Sequence, residues 1–210
     1  MGLRESFQAG LARQLGHPNG LRGRVVGAML NRGNRKPITE AVAALGLAGG
    51  ETAVDIGFGG GLGLALLLRK AGTVHGVEIS TTMLDRARRT FRRELAANRL
   101  WLHEAPITAL PLEDGSADAI ITTNTVYFVA DLDGAFAEVA RVLKPGGAFV
   151  LGIGDPETMS GSPLFTEHGF RIRPVADVEA ALARAGLKVR HHERLGGGQI
   201  GFHLLVTGRE

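Results

Sequence analysis

The stretch Val54-Asp55-Ile56-Gly57-Phe58-Gly59-Gly60-Gly61-Leu62-Gly63 constrains the fold more than any other part of the chain. A short apolar run, Ala53 to Ile56, carries one acid and breaks into a glycine turn. Leu64 to Leu68 then open a helical run. Strand, glycine turn and helix in that order make the first crossover of a Rossmann-like sheet. Glycine lets the backbone bend sharply and approach a ligand with no Cβ in the way. The helix start adds free N–H groups and a partial positive charge. The expectation is a site for an adenosine-bearing ligand. The dinucleotide fingerprint G-x-G-x-x-G fails in both registers, because Leu62 or Leu64 stands where the third glycine is required. A P-loop fails too, since no Lys-Ser or Lys-Thr follows the glycines. What fits is acid-x-G-x-G-x-G, made by Asp55, Gly57, Gly59 and Gly61.

At 210 residues the chain suits one domain with a small extension. With 5% aromatic residues, a platform for stacking nucleobases would be thin. The net charge of +3 gives nucleic acid little pull, although the pI is near 9.8. There are no cysteines, which removes disulfides, thiolate nucleophiles and cysteine metal sites. No metal site is expected, because the adjacent His191 and His192 would face opposite sides of a strand. No apolar run reaches membrane length, and the start lacks a secretory core, so a cytoplasmic protein is expected.

Residues 1–36 differ from the rest. Leu3, Phe7, Leu11 and Leu15 recur at a spacing of four, which suits an amphipathic helix, and Leu21 to Leu30 form a second. This arm is read as a lid over the substrate, ahead of a packing arm or a dimer contact; His17, Asn34 and Arg35 are its candidate polar contacts. Monomer and homodimer both stay open. Residues 37–210 form the ligand-binding domain. Thr39 is expected to cap a helix to about Leu47, closed by Gly49-Gly50.

Strands are expected at Thr73 to Ile79, Leu100 to His103, Ala117 to Thr123 and Ala148 to Ile153, with Leu187 to Glu193 and Gln199 to Thr207 as a closing antiparallel pair. Helices are expected at Leu62 to Ala71, Thr81 to Ala97 behind a Ser80 cap, Leu132 to Leu143 and Val175 to Ala185. Residues 154–173 read as irregular, with His168 near their middle. Glu78 ends the second strand about 20 residues after the loop, where an acid can accept both hydrogen bonds of a ribose diol. Arg86, Arg88, Arg89, Arg92 and Arg93 read as a solvated helix face, since no aromatic residues interleave them. Asn124 and Tyr127 lie past the carboxyl end of a strand, where ligands of open α/β sheets sit.

Four stretches stand in one order: Val54 to Gly61, Val77-Glu78-Ile79-Ser80, Leu110-Pro111-Leu112-Glu113-Asp114-Gly115-Ser116-Ala117-Asp118, and Arg141-Val142-Leu143-Lys144-Pro145-Gly146-Gly147. Together they resemble the class I methyltransferases that use S-adenosylmethionine, and within them the type 11 group that includes quinone-biosynthesis enzymes. The resemblance covers residues 50–153. It implies an α/β, Rossmann-like seven-stranded sheet with helices on both faces, the last strand antiparallel, preceded here by the N-terminal helical extension. It implies that Asp55, Gly57, Gly59 and Gly61 lie against the methionine and ribose parts of the cofactor, that Glu78 holds the ribose, that Ile79 and Met83 meet adenine, and that Asn124 lies near the methionine. Many relatives carry an acid where Pro106 stands here. Adenine then falls to Glu104 or to backbone groups of Ala105 or Ile107.

Methyl transfer from a sulfonium is an in-line displacement whose leaving thioether needs no proton. Proximity and orientation can contribute about 7–11 kcal/mol. A general base is needed only where the acceptor must lose a proton, and Tyr127, His168, His17 and His103 are the weak candidates. The preferred acceptor is a small molecule. An RNA, DNA or protein acceptor would usually bring an Asn-Pro-Pro-Tyr motif or an added domain, and Asn124 is followed by Thr125 and Val126. A cofactor-binding module without catalysis is the reading from a different class, and a nicotinamide dehydrogenase ranks last because the third fingerprint glycine is missing.

Overall fold

The computed structural model describes residues 34–161, 163–166, 170–196 and 201–209. The expected arm, with His17, lies outside the described residues except for 34–36, and so does His168.

In chain order the elements are α1 (Arg35–Ala44), β1 (Thr52–Ile56), α2 (Leu62–Leu67), β2 (Thr73–Glu78), α3 (Thr81–Thr90), α4 (Arg92–Ala96), β3 (Leu100–Glu104), β4 (Ala117–Thr123), α5 (Leu132–Val142), β5 (Leu143–Gly154), α6 (Pro156–Ser160), α7 (Pro163–Thr166), α8 (Val175–Arg184), β6 (Leu187–Leu195) and β7 (Phe202–Arg209). The strands form one seven-stranded sheet in the order β3-β2-β1-β4-β5-β7-β6. Neighbours from β3 to β5 pair in parallel, and β7 runs antiparallel to both β5 and β6. The expected sheet, with its last strand reversed, is what forms.

Parallel strands covered on both faces need apolar side chains on both. In β1, Ala53 packs with α1, α2 and α3, while Val54 and Ile56 pack with α5 and α8. The edge strand β6 is mostly exposed and charged, as suits a sheet margin that must not pair with another chain. Among the described residues no helix is long and apolar enough to cross a membrane.

Four local expectations are corrected. Thr39 is not a cap: α1 already begins at Arg35, and the Thr39 hydroxyl donates back to the Arg35 carbonyl at 2.8 Å. Pro37 is tolerated because it lies in the first turn. That helix is closed by Gly46, at φ +63°, and not by Gly49-Gly50. The expected helix from Thr81 to Ala97 is interrupted at Phe91, whose φ of −106° and ψ of 29° are not helical. Residues 154–173 contain two short helices, the first capped by the Asp155 side chain with Pro156 at its first position.

Candidate cofactor and acceptor site

The glycine turn leaves the end of β1 at the carboxyl edge of the sheet. Gly57, Gly59 and Gly61 have φ of +70°, +47° and +82°, a region that L side chains rarely adopt. Alternating glycine is therefore a requirement of this turn. The Gly57 N–H donates to the Val77 carbonyl at 2.8 Å, which ties the turn to β2. A Cβ on Gly57 would collide with the Thr125 side chain, and one on Gly61 would lie 3.2 Å from the Phe91 ring. The break in the helix at Phe91 thus lies beside the turn.

Two acids hold this turn from below. Glu78 Oε2 accepts from the Gly59 N–H at 3.0 Å, and Oε1 accepts from Ile79 and Ser80 at 2.9 and 3.0 Å. Asp55 is only 4% exposed, and its carboxyl fills the place where Gly63 lacks a Cβ. Burial first, then the nearby Glu78 carboxylate, push Asp55 up to about 8, against the opposing pull of the Leu64 N–H. Among the described residues no salt bridge reaches Asp55. A buried charged acid with no cation beside it is costly, which is why the neutral form is favoured here.

The other expected residues take distinct places. Ile79 is exposed at 39%, next to Glu78, whereas Met83 is fully buried in the core beneath α3. Ser80 caps α3, accepting from the Met83 N–H at 3.4 Å. Asn124 has φ +59°, and its N–H donates to the Gly152 carbonyl at 2.9 Å, so it marks the turn where β4 ends. Next to it, Thr125 touches Gly57. The Ala105 N–H is taken by the Glu78 carbonyl at 3.3 Å, which leaves Ile107 N–H and the exposed Glu104 of the expected adenine partners.

Tyr127 is buried in a single 3-10 turn (Val126–Phe128), and its hydroxyl accepts from the Gly154 N–H. Burial raises its ionisation above the ordinary range, so it stays protonated and braces the ends of β4 and β5 against each other. His103 shares one hydrogen bond of 3.0 Å with His75, and burial lowers both imidazoles. His191 is exposed, and His192 meets His203 at 2.8 Å. Phe128, Phe165 and Phe170 pack together beside Tyr127. The Arg173 guanidinium clamps this loop, donating to the Val126 and Val129 carbonyls at 2.9 and 2.6 Å.

Several organising residues gave no sign in the sequence reading. Arg141, in the fourth stretch, donates to the Leu110 and Leu112 carbonyls at 2.9 and 2.8 Å and meets Asp114 and Glu138 at 2.7 Å each. The third and fourth stretches are thereby one structural clasp, with Lys144 on Asp118 at 2.7 Å as its second rivet. Asp155, 2% exposed, accepts from Glu157 and Thr158 at 3.0 Å each and binds Arg194 and His203. An Asp-Pro pair announces a cap; the partners on β6 and β7 are too distant in sequence to be seen.

The sheet order is the one found in solved methyltransferase structures, with the glycine turn and the acid at the tip of β2 side by side at its carboxyl edge. Comparison with known proteins agrees: residues 54–151, just under half of the chain, match a family described as a methyltransferase domain. The chain is 35% identical over 111 residues to the demethylmenaquinone methyltransferase of Tropheryma whipplei, covering 53% of this chain and 45% of that protein. It is 39% identical over 120 residues to an uncharacterised 37.1 kDa transposon protein of Streptomyces fradiae, covering 56% and 34%. The chain therefore spans less than half the length of these relatives. Among solved structures, geranyl diphosphate C-methyltransferase from Streptomyces coelicolor superposes with a TM-score of 0.73 at 22% identity, covering 94% of this chain and 88% of that one. The [4+2]-cyclase SpnF superposes equally well, with a TM-score of 0.73 at 18% identity over 83% and 80%. Those two likenesses speak for the fold alone.

Proposed function

We propose that the protein binds S-adenosylmethionine at the glycine turn and transfers its methyl group to a small-molecule acceptor. The observation that carries this reading is the pair Asp55 and Glu78 under a turn made of three positive-φ glycines. The residues fit such a cofactor. Three N–H donors already sit on the Glu78 carboxylate, two on Oε1 and one on Oε2, which leaves about one acceptor site, on Oε2, for a ribose hydroxyl. Ile79 offers an exposed apolar face for adenine, and the buried acid Asp55 suits a ligand that brings positive charge. Gly57, Gly59 and Gly61 admit backbone contact with the methionine part, and Asn124 and Thr125 close the same end.

When bound, the cofactor supplies an activated methyl on sulfur. The chain supplies orientation and exclusion of water. Tyr127, Arg173 and Gly154 fix the loop beyond β4, where the acceptor would stand, and the phenylalanines beside it offer an apolar wall. The relative named for demethylmenaquinone supports a small acceptor. A second reading is a module that binds the cofactor without transferring its methyl, since a fold does not by itself fix an activity.

The arm fits a lid. Lys36 Nζ donates to the Gly196 carbonyl at 3.1 Å, just past the end of β6, which ties the start of α1 to that end of the strand. The test is incubation with isotopically labelled S-adenosylmethionine and a fractionated metabolite extract. Labelled methyl in a small-molecule fraction supports the proposal; cofactor binding with no transfer to any fraction favours the second reading. Deleting residues 1–33 should depress that transfer about tenfold or more, while binding of S-adenosylhomocysteine changes little. A deletion that left transfer unchanged, or that weakened cofactor binding as much as transfer, would end the lid.

A further inference from the structure

We propose that His75 and His103 form a binding site for one transition-metal ion of the kind that imidazole favours, Zn²⁺, Ni²⁺ or Cu²⁺, which clips the edge strand β3 to β2. The inference is independent of the cofactor assignment and uses two side chains that neither the glycine turn nor the acceptor loop employs. The pair gave no metal signal in the sequence, because its members lie 28 residues apart on two strands.

The sheet brings them together. His75 pairs with Trp101, and Val77 with His103, across β2 and β3. Leu100 and Leu102 pack with α1, α2 and α3, so strand alternation turns His75, Val77, Trp101 and His103 to the other face. Residues 105–116, which cross from β3 to β4, contain no helix. The face stays open beside the edge: Trp101 is 48% exposed, and both imidazoles are partly exposed.

His75 Nδ1 and His103 Nε2 stand 3.0 Å apart. Two nitrogens bound at 2.0–2.1 Å to one ion lie about 2.8–3.4 Å apart, for angles from a right angle to tetrahedral. The strands therefore already hold the two nitrogens at a chelating distance. The ring centroids are 5.3 Å apart and the planes differ by 20°, so the rings meet edge to edge. Each ring has to turn to aim its lone pair at the ion, and among the described residues no other hydrogen bond holds either imidazole. The second histidine pair is the contrast. His192 and His203 meet at 2.8 Å, but Glu179 and Asp155 take their outer nitrogens at 3.3 Å each, and Arg194 sits on Asp155. That chain is complete and already carries a cation.

A neutral imidazole is the form that ligates a metal, and burial lowers both rings, His75 to about 4. Binding then needs no net proton at pH 7. The proton shared between the rings leaves for the outer nitrogen of the ring that held it. Imidazole suits zinc, nickel and copper, and Cu²⁺ binds tightest of the three. Among the described residues no group of three or more histidines and acids could hold a metal, so water fills the remaining positions. The register places the ion next to the Glu78–Glu104 step, where it would stiffen the strand tips beside the turn.

Trp101 is the single tryptophan of the chain and the cross-strand neighbour of His75, so its fluorescence reports on this site. The full chain is titrated with Cu²⁺, which quenches indole emission at close range. Quenching should saturate at one ion per chain. His75→Gln and His103→Gln should each raise the half-quenching concentration about tenfold or more, while His191→Gln leaves it unchanged. Quenching that never saturates, an unchanged midpoint in either pair variant, or an equal loss in His191→Gln overturns the inference. If a pair variant fails to fold, the ring-nitrogen resonances of the unmutated chain decide. Zn²⁺ should shift those of His75 and His103 first, and earlier movement of any other histidine overturns the site.

Discussion

Asp55 and Asp155 lie at the same edge of one sheet and are almost equally buried, yet they are pulled in opposite directions. Asp55 is pushed up to about 8, whereas Asp155 is held down to about 2. At Asp55 burial is the largest influence, with no hydrogen bonds strong enough to oppose it; at Asp155 hydrogen bonds outweigh burial. The Thr158 N–H, with Arg194 and His203 behind it, stabilises the Asp155 carboxylate more than burial penalises it. Asp55 has Leu64 on one side and a second acid on the other. One aspartate is finished by the fold, pinning β5 to α6 and the β6–β7 hairpin. The other is left incomplete, which is the mark of a ligand site.

The two acids give opposite pH signatures. Asp155, with its folded ionisation depressed, contributes stability that is present above its unfolded value of about 3.9 and is lost as pH falls toward 2. Asp55, with its folded ionisation raised, favours the fold fully below about 3.9 and loses that contribution as pH climbs toward 8. Asp155→Ala should thus have the larger effect, a loss of about 3 kcal/mol in urea melts at pH 7. It removes a cap and charged hydrogen bonds, while the exposed Arg194 adds little. A loss under about 0.5 kcal/mol would mean that the pinning is ornamental. Asp55→Asn should move stability the other way, a gain of about 1–2 kcal/mol at pH 8 that vanishes near pH 4, because the amide mimics the neutral acid. A loss at pH 8 would show that the carboxylate is charged and satisfied in the empty protein.

This contrast also separates what could be read in the sequence from what could not. Asp55, the three glycines and Glu78 are legible because the turn imposes local rules: positive φ at alternate positions, and an acid at the tip of the next strand. The strands follow from their apolar runs, while the seven-stranded sheet with its reversed last strand came with the family resemblance and its order needed the coordinates. Asp155 stayed hidden because its partners, Arg194 and His203, lie 39 and 48 residues away. Arg141 was seen as part of a recurring stretch, but its role as a clasp on Leu110 and Leu112 needed coordinates. The interruption at Phe91 escaped because Thr81 to Ala97 keeps a helical apolar period straight through it.

The central claim is that the glycine turn and Glu78 together hold an adenosyl ligand. It is tested most directly by calorimetric titration of S-adenosylhomocysteine into the unmutated chain and into Glu78→Ala. Saturable binding that weakens by about 1.5–3 kcal/mol in the variant, the scale of a charged hydrogen bond, is the predicted result. Equal affinity in the two proteins, or no heat in either, would contradict it.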